Sequence, residues 1–218
     1  IWTHSYGGLD IDGVSSIAKI ADDYGYVLLG YTKSYMLDKS RIKKRGFFGR
    51  ILANIFKKKP TSEIWIINID EFGDRNWHNT YGGKKEDYGK SIKLMADGGY
   101  LIAAETNSIG AGRNDIWLLK IDKNGKIEWD NTIGNKKDEY FSSAMILPND
   151  NIIISGYKTV KDKFSMKNSI MAIINNEPNS RKKKKSFVNM LDQEGKNKWE
   201  VNPSEDEENH IAFTTFLS

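Results

Sequence analysis

The sequence predicts an all-β fold, a β-propeller of four-stranded antiparallel blades, and three observations carry that prediction. One motif recurs along the chain and closes on tryptophans at positions 2, 77, 129 and 199. Each copy contains four short apolar segments that are separated by turn residues. Apolar positions within a copy do not recur at the helical spacing of 3.6 residues. Tandem four-strand units are typical of propeller blades.

The middle copy shows the motif most completely. Its predicted strands cover about 90–96, 100–106, 115–122 and 126–132. The run from Tyr100 to Ala104 is apolar throughout, which is expected of a strand buried on both faces. Glycines in Asp97-Gly98-Gly99 and Lys123-Asn124-Gly125 suit tight turns between neighbouring strands. The segment that starts at Asp122 therefore predicts a hairpin turn rather than a calcium loop.

The flanking copies indicate three full blades with partial blades at both ends, in a single propeller over 1–218. Residues 1–5 match the last strand of a blade, and 211–217 match the first strand of another. Because propellers close with about four to eight blades, we expect further blades in the parent protein or pairing of the open ends with another chain.

Two segments compete for the third strand of the third copy. Residues 186–192 fit by their distance to Gly195 and Trp199, whereas 169–174 fit by their local pattern. With the first choice, both insertions of the chain join second strands to third strands and emerge on one face. With the second choice, the basic run 181–185 lies in the following hairpin, on the opposite face.

The insertion at about 33–62 predicts a basic amphipathic helix. Its apolar residues recur at i, i+4 and i+8, and segment 39–59 holds nine Lys and Arg residues and no acid. The candidate binding residues are Phe47, Phe48, Arg50, Lys57 and Lys58. Binding to an anionic membrane surface or an acidic partner, and simple packing on the propeller with solvated lysines, both remain open.

Net charge is unevenly distributed along the chain. The total is +4, segment 39–59 carries +9 and run 181–185 carries +5, so the remainder carries −10. The second insertion, at about 158–185, is predicted to be a basic loop whose run 181–185 is solvated. An acidic body repels a polyanion, which makes nucleic acid an unlikely partner.

Several motifs carry a resemblance to a known family. Asp97-Gly98-Gly99-Tyr100, the Asp115-Ile116-Trp117 strand and the Ile121-Asp122 hairpin resemble the propeller repeats of bacterial surface and secreted proteins, many of them lipoproteins. The Gly-x-x-x-Trp element is similar to the tryptophan-docking motif of quinoprotein-like propellers; it occurs as Gly73/Trp77, Gly125/Trp129 and Gly195/Trp199. The resemblance implies a propeller at the cell surface or outside the cell, with the periplasm as an alternative.

Catalytic chemistry has little support in the sequence. The chain has no cysteine, which excludes thiolate catalysis and Cys-ligated metals. The three histidines are well separated, no Gly-rich phosphate loop occurs, and we predict no cofactor or metal. In the family pattern an aspartate before each first strand bonds backbone amides of the neighbouring turn, which implies a structural role for Asp12, Asp87 and Asp138.

The sequence therefore predicts a non-catalytic binding scaffold at the cell surface or outside the cell, with a protein or polysaccharide ligand on a loop face. One alternative is part of a carbohydrate-active or quinoprotein-like propeller enzyme. A further alternative is attachment to a membrane surface through the basic amphipathic insertion.

Overall fold

The computed structural model describes residues 2–8, 10–20, 24–33, 61–161 and 182–201, and this part of the chain is all β. Its strands form three four-stranded antiparallel sheets, each with its strands in sequence order. The all-β class and the four-strand units are confirmed. The predicted helix of the first insertion falls almost entirely on residues outside the described ranges.

The three sheets have the following bounds. The first contains β1 Asp12–Lys19, β2 Tyr26–Thr32, β3 Glu63–Ile69 and β4 Arg75–Tyr81. The second contains β5 Asp87–Leu94, β6 Tyr100–Thr106, β7 Asp115–Ile121 and β8 Ile127–Ile133. The third contains β9 Glu139–Ile146, β10 Ile152–Lys161, β11 Lys182–Leu191 and β12 Asn197–Val201.

Aspartate and glycine form the turn between the third and fourth strands of each sheet. The Asp122 Oδ1 atom accepts hydrogen bonds from the backbone N–H groups of Asn124 at 2.8 Å and Lys126 at 2.9 Å. Gly125 has a φ of +81°, which glycine adopts without steric cost. Asp70 and Asp192 make the same pair of bonds. The segment after Asp122 is therefore a hairpin turn, as predicted.

The third strand of the third sheet is β11, which includes residues 186–191. It pairs with β10 from Ile152 opposite Leu191 to Lys161 opposite Lys182. The prediction that 181–185 form a solvated loop is wrong for residues 182–185. These residues belong to β11 because the end of β10 continues as a strand and pairs with them. The basic loop predicted at about 158–185 is correspondingly shorter, since 158–161 belong to β10.

Apolar side chains pack between neighbouring sheets in two layers. We call the contact of the first and second sheets the first joint, and that of the second and third sheets the second joint. The first joint contains Leu29, Ile66, Tyr100, Trp117 and Leu119, among others. The second joint contains Leu101, Leu118, Ile152, Phe187 and Leu191, among others. Strands β6 and β7 face both joints, which explains why the runs 100–104 and 116–119 within them are apolar on both faces.

Each joint also docks a tryptophan of one sheet on a turn glycine of the next. A Cβ placed on Gly125 would lie 2.9 Å from the Trp77 ring, and one on Gly195 would lie 2.6 Å from the Trp129 ring. The carbonyl of Gly125 accepts hydrogen bonds from Tyr81 Oη at 2.5 Å and Asn79 Nδ2 at 3.1 Å. Only a glycine lets the ring approach the turn backbone this closely.

The N-terminal segment repeats this docking on the first sheet. A Cβ on Gly73 would lie 2.7 Å from the Trp2 ring, and Tyr6 Oη donates a hydrogen bond to the Gly73 carbonyl. Trp2 and Tyr6 thus occupy the positions that Trp77 and Tyr81 hold at the first joint. Residues 1–5 were predicted to match a fourth strand; residues 2–8 make these fourth-strand contacts but are not themselves a β-strand.

Both insertions leave the sheets at one edge, which we call the insertion edge. It is the edge at which the first and third strands of each sheet begin. The chain leaves after Lys33 at the end of β2 and after Lys161 at the end of β10, and it returns at β3 and β11. Both insertions therefore join second strands to third strands and emerge on the same face.

Candidate functional site

The predicted binding residues Phe47, Phe48, Arg50, Lys57 and Lys58 lie outside the described residues. The structure does show where their insertion is attached, because Lys33 and Glu63 flank it at the insertion edge. The polar and aromatic side chains of that edge therefore define the candidate site.

Four half-buried tyrosines line the insertion edge across the three sheets; we call Tyr31, Tyr88, Tyr140 and Tyr157 the tyrosine row. Tyr31 on β2 and Tyr88 on β5 meet across the first joint in an edge-to-face contact, with ring centroids 5.2 Å apart. Gly13 makes room for this pair, because a Cβ there would lie 2.8 Å from the Tyr31 ring.

The second half of the row lies on the third sheet. Tyr140 on β9 and Tyr157 on β10 are cross-strand partners whose rings stack at 4.9 Å. The ammonium group of Lys184 on β11 stands 4.4 Å from the centroid of the Tyr157 ring, which is a cation–π distance. The basic run of the third sheet thus contributes directly to the row.

A charged pair on the second sheet links the two halves. Lys90 Nζ lies 5.9 Å from the Tyr88 ring centroid and 3.0 Å from a Glu105 carboxylate oxygen. The other oxygen of Glu105 accepts a hydrogen bond from the backbone N–H of Phe141 at 3.1 Å, across the second joint. Burial, followed by the negative charges of Asp138 and Glu105 and the neighbouring Tyr157, raises the pKa of Tyr140. The raised pKa favours the protonated hydroxyl of Tyr140, which can donate a hydrogen bond.

Beneath the row, Asp87 at the start of β5 is a fully satisfied carboxylate. It accepts hydrogen bonds from the Thr106 hydroxyl, from the Ser108 hydroxyl at 2.7 Å and from the Gly83 backbone N–H at 2.8 Å. Asp12 at the start of β1 accepts from Thr32 at 2.5 Å and from the Gly8 backbone N–H at 2.8 Å. The structural role predicted for Asp12 and Asp87 is confirmed.

The structural role predicted for the third aspartate, Asp138, belongs to the next residue in the chain, Glu139. Glu139, and not Asp138, begins β9. Its carboxylate accepts a hydrogen bond at 3.2 Å from the backbone N–H of Asn135, four positions earlier. Asp138 instead accepts a hydrogen bond from Arg113 at 3.1 Å. The sequence alone could not distinguish Asp138 from the adjacent Glu139. In the structure, Glu139 pairs with Lys158 of β10, and this pairing sets the register of β9.

Two buried carboxyls at the second joint each carry an oxygen without a hydrogen-bond partner. Asp115 is 1% exposed and Glu139 is 2% exposed, and the atoms concerned are Asp115 Oδ1 and Glu139 Oε1. A Cβ on Gly134 would lie 1.9 Å from Asp115 and 3.0 Å from Glu139, which places the two carboxyls side by side. Burial raises the pKa values of both carboxyls, and the negative charge of Asp138 raises them further; the charge of Asp115 also raises the pKa of Glu139.

A small cavity of about 50 Å³ opens beside this pair. Its lining includes Gly134, Asn135, Glu139, Lys158, Phe187 and Glu200. Lys158 Nζ lies 3.2 Å from a Glu200 oxygen and also lowers the pKa of Glu139. Oppositely charged groups thus surround a space large enough for ordered water.

The two described histidines, His4 and His78, each contact aromatic side chains. His78 Nδ1 accepts a hydrogen bond from Trp65 Nε1 at 3.2 Å, and burial, together with nearby Arg75, lowers its pKa. His4 packs between Trp2 and Tyr6. Within the described ranges, no three His, Asp or Glu side chains gather as they would around a metal ion. No helix in the same part of the chain has the length and apolar character needed to cross a membrane.

Sequence reasoning missed the tyrosine row. Its members stand beside turns on four different strands, and no local pattern joins Tyr31 to Tyr88. One signal was available: Tyr88 and Tyr140 both follow the acid that begins a first strand. No family model matches the chain, and no curated protein matches it.

Proposed function

We propose that this protein is a β-propeller and acts as a non-catalytic binding scaffold at the cell surface or outside the cell. The propeller arrangement is supported by the repeated joint, in which the fourth strands of the first and second sheets each dock a tryptophan on a turn glycine of the next sheet. It is supported further by a backbone hydrogen bond that recurs between sheets, from Asp87 N–H to the Ser62 carbonyl and from Glu139 N–H to the Asn114 carbonyl, both at 2.8 Å. The location rests on the resemblance of the repeats to surface and secreted proteins.

The insertion edge is the ligand-binding face in this proposal. The observation that carries it is the coincidence of the tyrosine row with the attachment points of both insertions. Half-exposed tyrosines offer ring edges and hydroxyl groups to a ligand at low entropic cost, since each has only two side-chain torsions. Strands hold the tyrosines in place, while the insertions vary the surface above them.

The chemistry of the row favours an extended, uncharged polysaccharide over a polyanion. Lys90 is neutralised by Glu105, and Arg113 by Asp138, so the charges along the second sheet and at the second joint are paired, whereas the third sheet adds the basic residues 182–185. Paired carboxylates and ammonium groups can bond sugar hydroxyls as acceptors and donors. The row also crosses three sheets, which suits a chain of several sugar units.

The test is binding to a panel of soluble neutral and anionic polysaccharides, measured by calorimetry for the wild type and for Tyr88→Ala and Tyr140→Ala. We expect about a tenfold loss of affinity in each variant, or about 1.4 kcal/mol. The matched control is Tyr24→Ala, which removes a tyrosine that is 77% exposed at the opposite edge of the first sheet. Thermal unfolding confirms that each variant is folded.

Three outcomes would overturn the proposal. They are unchanged affinity in both row variants, binding of a protein ligand alone, and release of new reducing ends from the bound polysaccharide. The last result would favour the carbohydrate-active enzyme instead.

A further inference from the structure

The two buried carboxyls of the second joint each have one oxygen held by the backbone and one oxygen left over. Asp115 Oδ2 accepts a hydrogen bond from the Gly112 backbone N–H at 3.0 Å, and Glu139 Oε2 accepts one from the Asn135 backbone N–H. The other two atoms, Asp115 Oδ1 and Glu139 Oε1, meet no donor of the described residues. Buried polar atoms are nearly always bonded in folded proteins, so two such oxygens side by side indicate a ligand.

The backbone fixes the two carboxyls relative to each other. The Glu139 N–H donates a hydrogen bond to the Asn114 carbonyl at 2.8 Å, and the Asn114 side-chain amide donates one to the Glu139 carbonyl. Asn114 precedes Asp115 in the chain, so both carboxyls are attached to one hydrogen-bonded pair of segments. Gly134 leaves room for Asp115 Oδ1, since a Cβ there would lie 1.9 Å from it. Carboxyls held in this way need little rearrangement to bind a ligand.

The charge of the surroundings indicates that this ligand is a divalent cation. When all groups are ionised, four carboxylates and two bases at this end of the second joint leave a net charge of −2; they are Asp115, Asp138, Glu139 and Glu200, with Arg113 and Lys158. Arg113 is paired with Asp138, and Lys158 with Glu200. The two bases are therefore matched by these acids, and the charge of the buried pair is left to be balanced.

We propose that Asp115 and Glu139 bind a calcium ion at the second joint. Gly134 and Asn135 line the cavity of about 50 Å³ together with Glu139, so peptide oxygens and water can complete the roughly six to eight oxygen ligands that calcium takes. Calcium accepts such irregular sets, whereas magnesium demands an octahedron and dehydrates reluctantly. Because only two carboxylates contribute, the site should be weak, with a Kd of about 1 mM.

The first joint shows why this site belongs to the second. There Asp87 begins the first strand, and Thr106, Ser108 and Gly83 satisfy both of its oxygens. Glu63, which begins the third strand of the first sheet as Asp115 begins that of the second, is only half-buried. The sequence predicted no metal because no local motif joins two acids that belong to different sheets.

The test compares urea unfolding of the full 218-residue chain in EDTA and in calcium chloride. We expect about 10 mM calcium to raise the folding equilibrium constant of the wild type about tenfold, and to leave that of Asp115→Asn and Glu139→Gln unchanged. Asp122→Asn is the matched control: Asp122 begins the turn that was the alternative calcium loop, and its variant should respond as the wild type does. Lys158→Met should increase the response, because it removes a positive charge close to Glu139.

A calcium response that persists in Glu139→Gln, or that is lost in Asp122→Asn, would overturn the proposal, as would the absence of any response in the wild type. An equal response to magnesium would overturn the assignment of calcium. Calorimetric titration with calcium chloride provides a second measurement, in which one ion should bind per wild-type chain and none to Glu139→Gln. The proposal does not depend on the polysaccharide, so failure of that test leaves these outcomes unchanged.

Discussion

The two joints share one architecture but treat their buried carboxyls differently. At the first joint, hydroxyls of Thr106 and Ser108 satisfy Asp87. At the second joint, Lys158 and Val160 stand at the positions of those two residues, and Glu139 keeps an oxygen without a donor. The backbone geometry of the joints is therefore repeated more strictly than the polar side chains that occupy it. The second joint is therefore where pH should affect stability most.

The largest expected effect concerns the docking that both joints share. Gly125→Ala should cost about 1–3 kcal/mol beyond the cost of an alanine at positive φ, because its Cβ would overlap Trp77 and Asn79. Gly98→Ala is the matched control, since Gly98 has the same φ of +81° and nothing within 4 Å of the added Cβ. Urea unfolding measures both, and equal losses would contradict the docking argument. Gly195→Ala should match Gly125→Ala if the joints dock alike.

The next effect separates the joints. Thr106→Val should destabilise the protein by about 1–3 kcal/mol, because it removes a donor from the buried Asp87 carboxylate while preserving the shape of the side chain. Thr132→Val on β8 is the control, since it makes the same change at a half-buried site that has no hydrogen bond to a carboxylate of the described residues. A loss no larger than that of the control would mean that Ser108 and Gly83 alone satisfy Asp87.

The smallest effect has the opposite sign and depends on pH. Because folding raises the pKa values of Asp115 and Glu139, the folded state binds protons more readily than the unfolded chain. Their contribution to stability is therefore complete below the unfolded pKa of about 4 and is lost as pH rises through the folded pKa. We expect Glu139→Gln to stabilise the protein by about 1 kcal/mol at pH 7.5 and to bring less or nothing at pH 4.

Asp97 provides the control of opposite sign. Its hydrogen bond with Lys120 lowers its pKa, so its contribution is present at neutral pH and is lost as pH falls through the folded value. Asp97→Asn should therefore weaken the protein at pH 7.5 and have less effect in acid. Unfolding free energies at both pH values decide the matter, and a stabilisation by Glu139→Gln that did not change with pH would argue against the carboxyl pair.

Local chemistry explains how far the sequence could predict this structure. Strand β6 lies at 100–106 as predicted, because an apolar run between glycine and Asn107 leaves little freedom in its limits. The third strand of the third sheet was ambiguous because residues 169–174 carry an equally apolar pattern. Only pairing with β10, a contact across the sequence, could choose between them.

The candidate site was less predictable for the same reason. The tyrosine row joins residues that are distant in sequence, and the contact of Tyr31 with Tyr88 depends on how two sheets pack rather than on either segment. The predicted binding residues followed instead from charge and helical periodicity within one insertion. The insertion is attached at the insertion edge, and the tyrosine row lies along the same edge. The strand order of the sheets identifies this edge.

The docking of tryptophan on glycine also has a consequence for how the molecule unfolds. Each tryptophan belongs to one sheet and its glycine to the next, so a sheet is completed only by its neighbour, as in nearest-neighbour models of repeat proteins. The second sheet is completed on both sides, through Gly125 and Trp129. Among the described strands, β6 and β7 pack against both joints, so their amides should exchange most slowly with solvent.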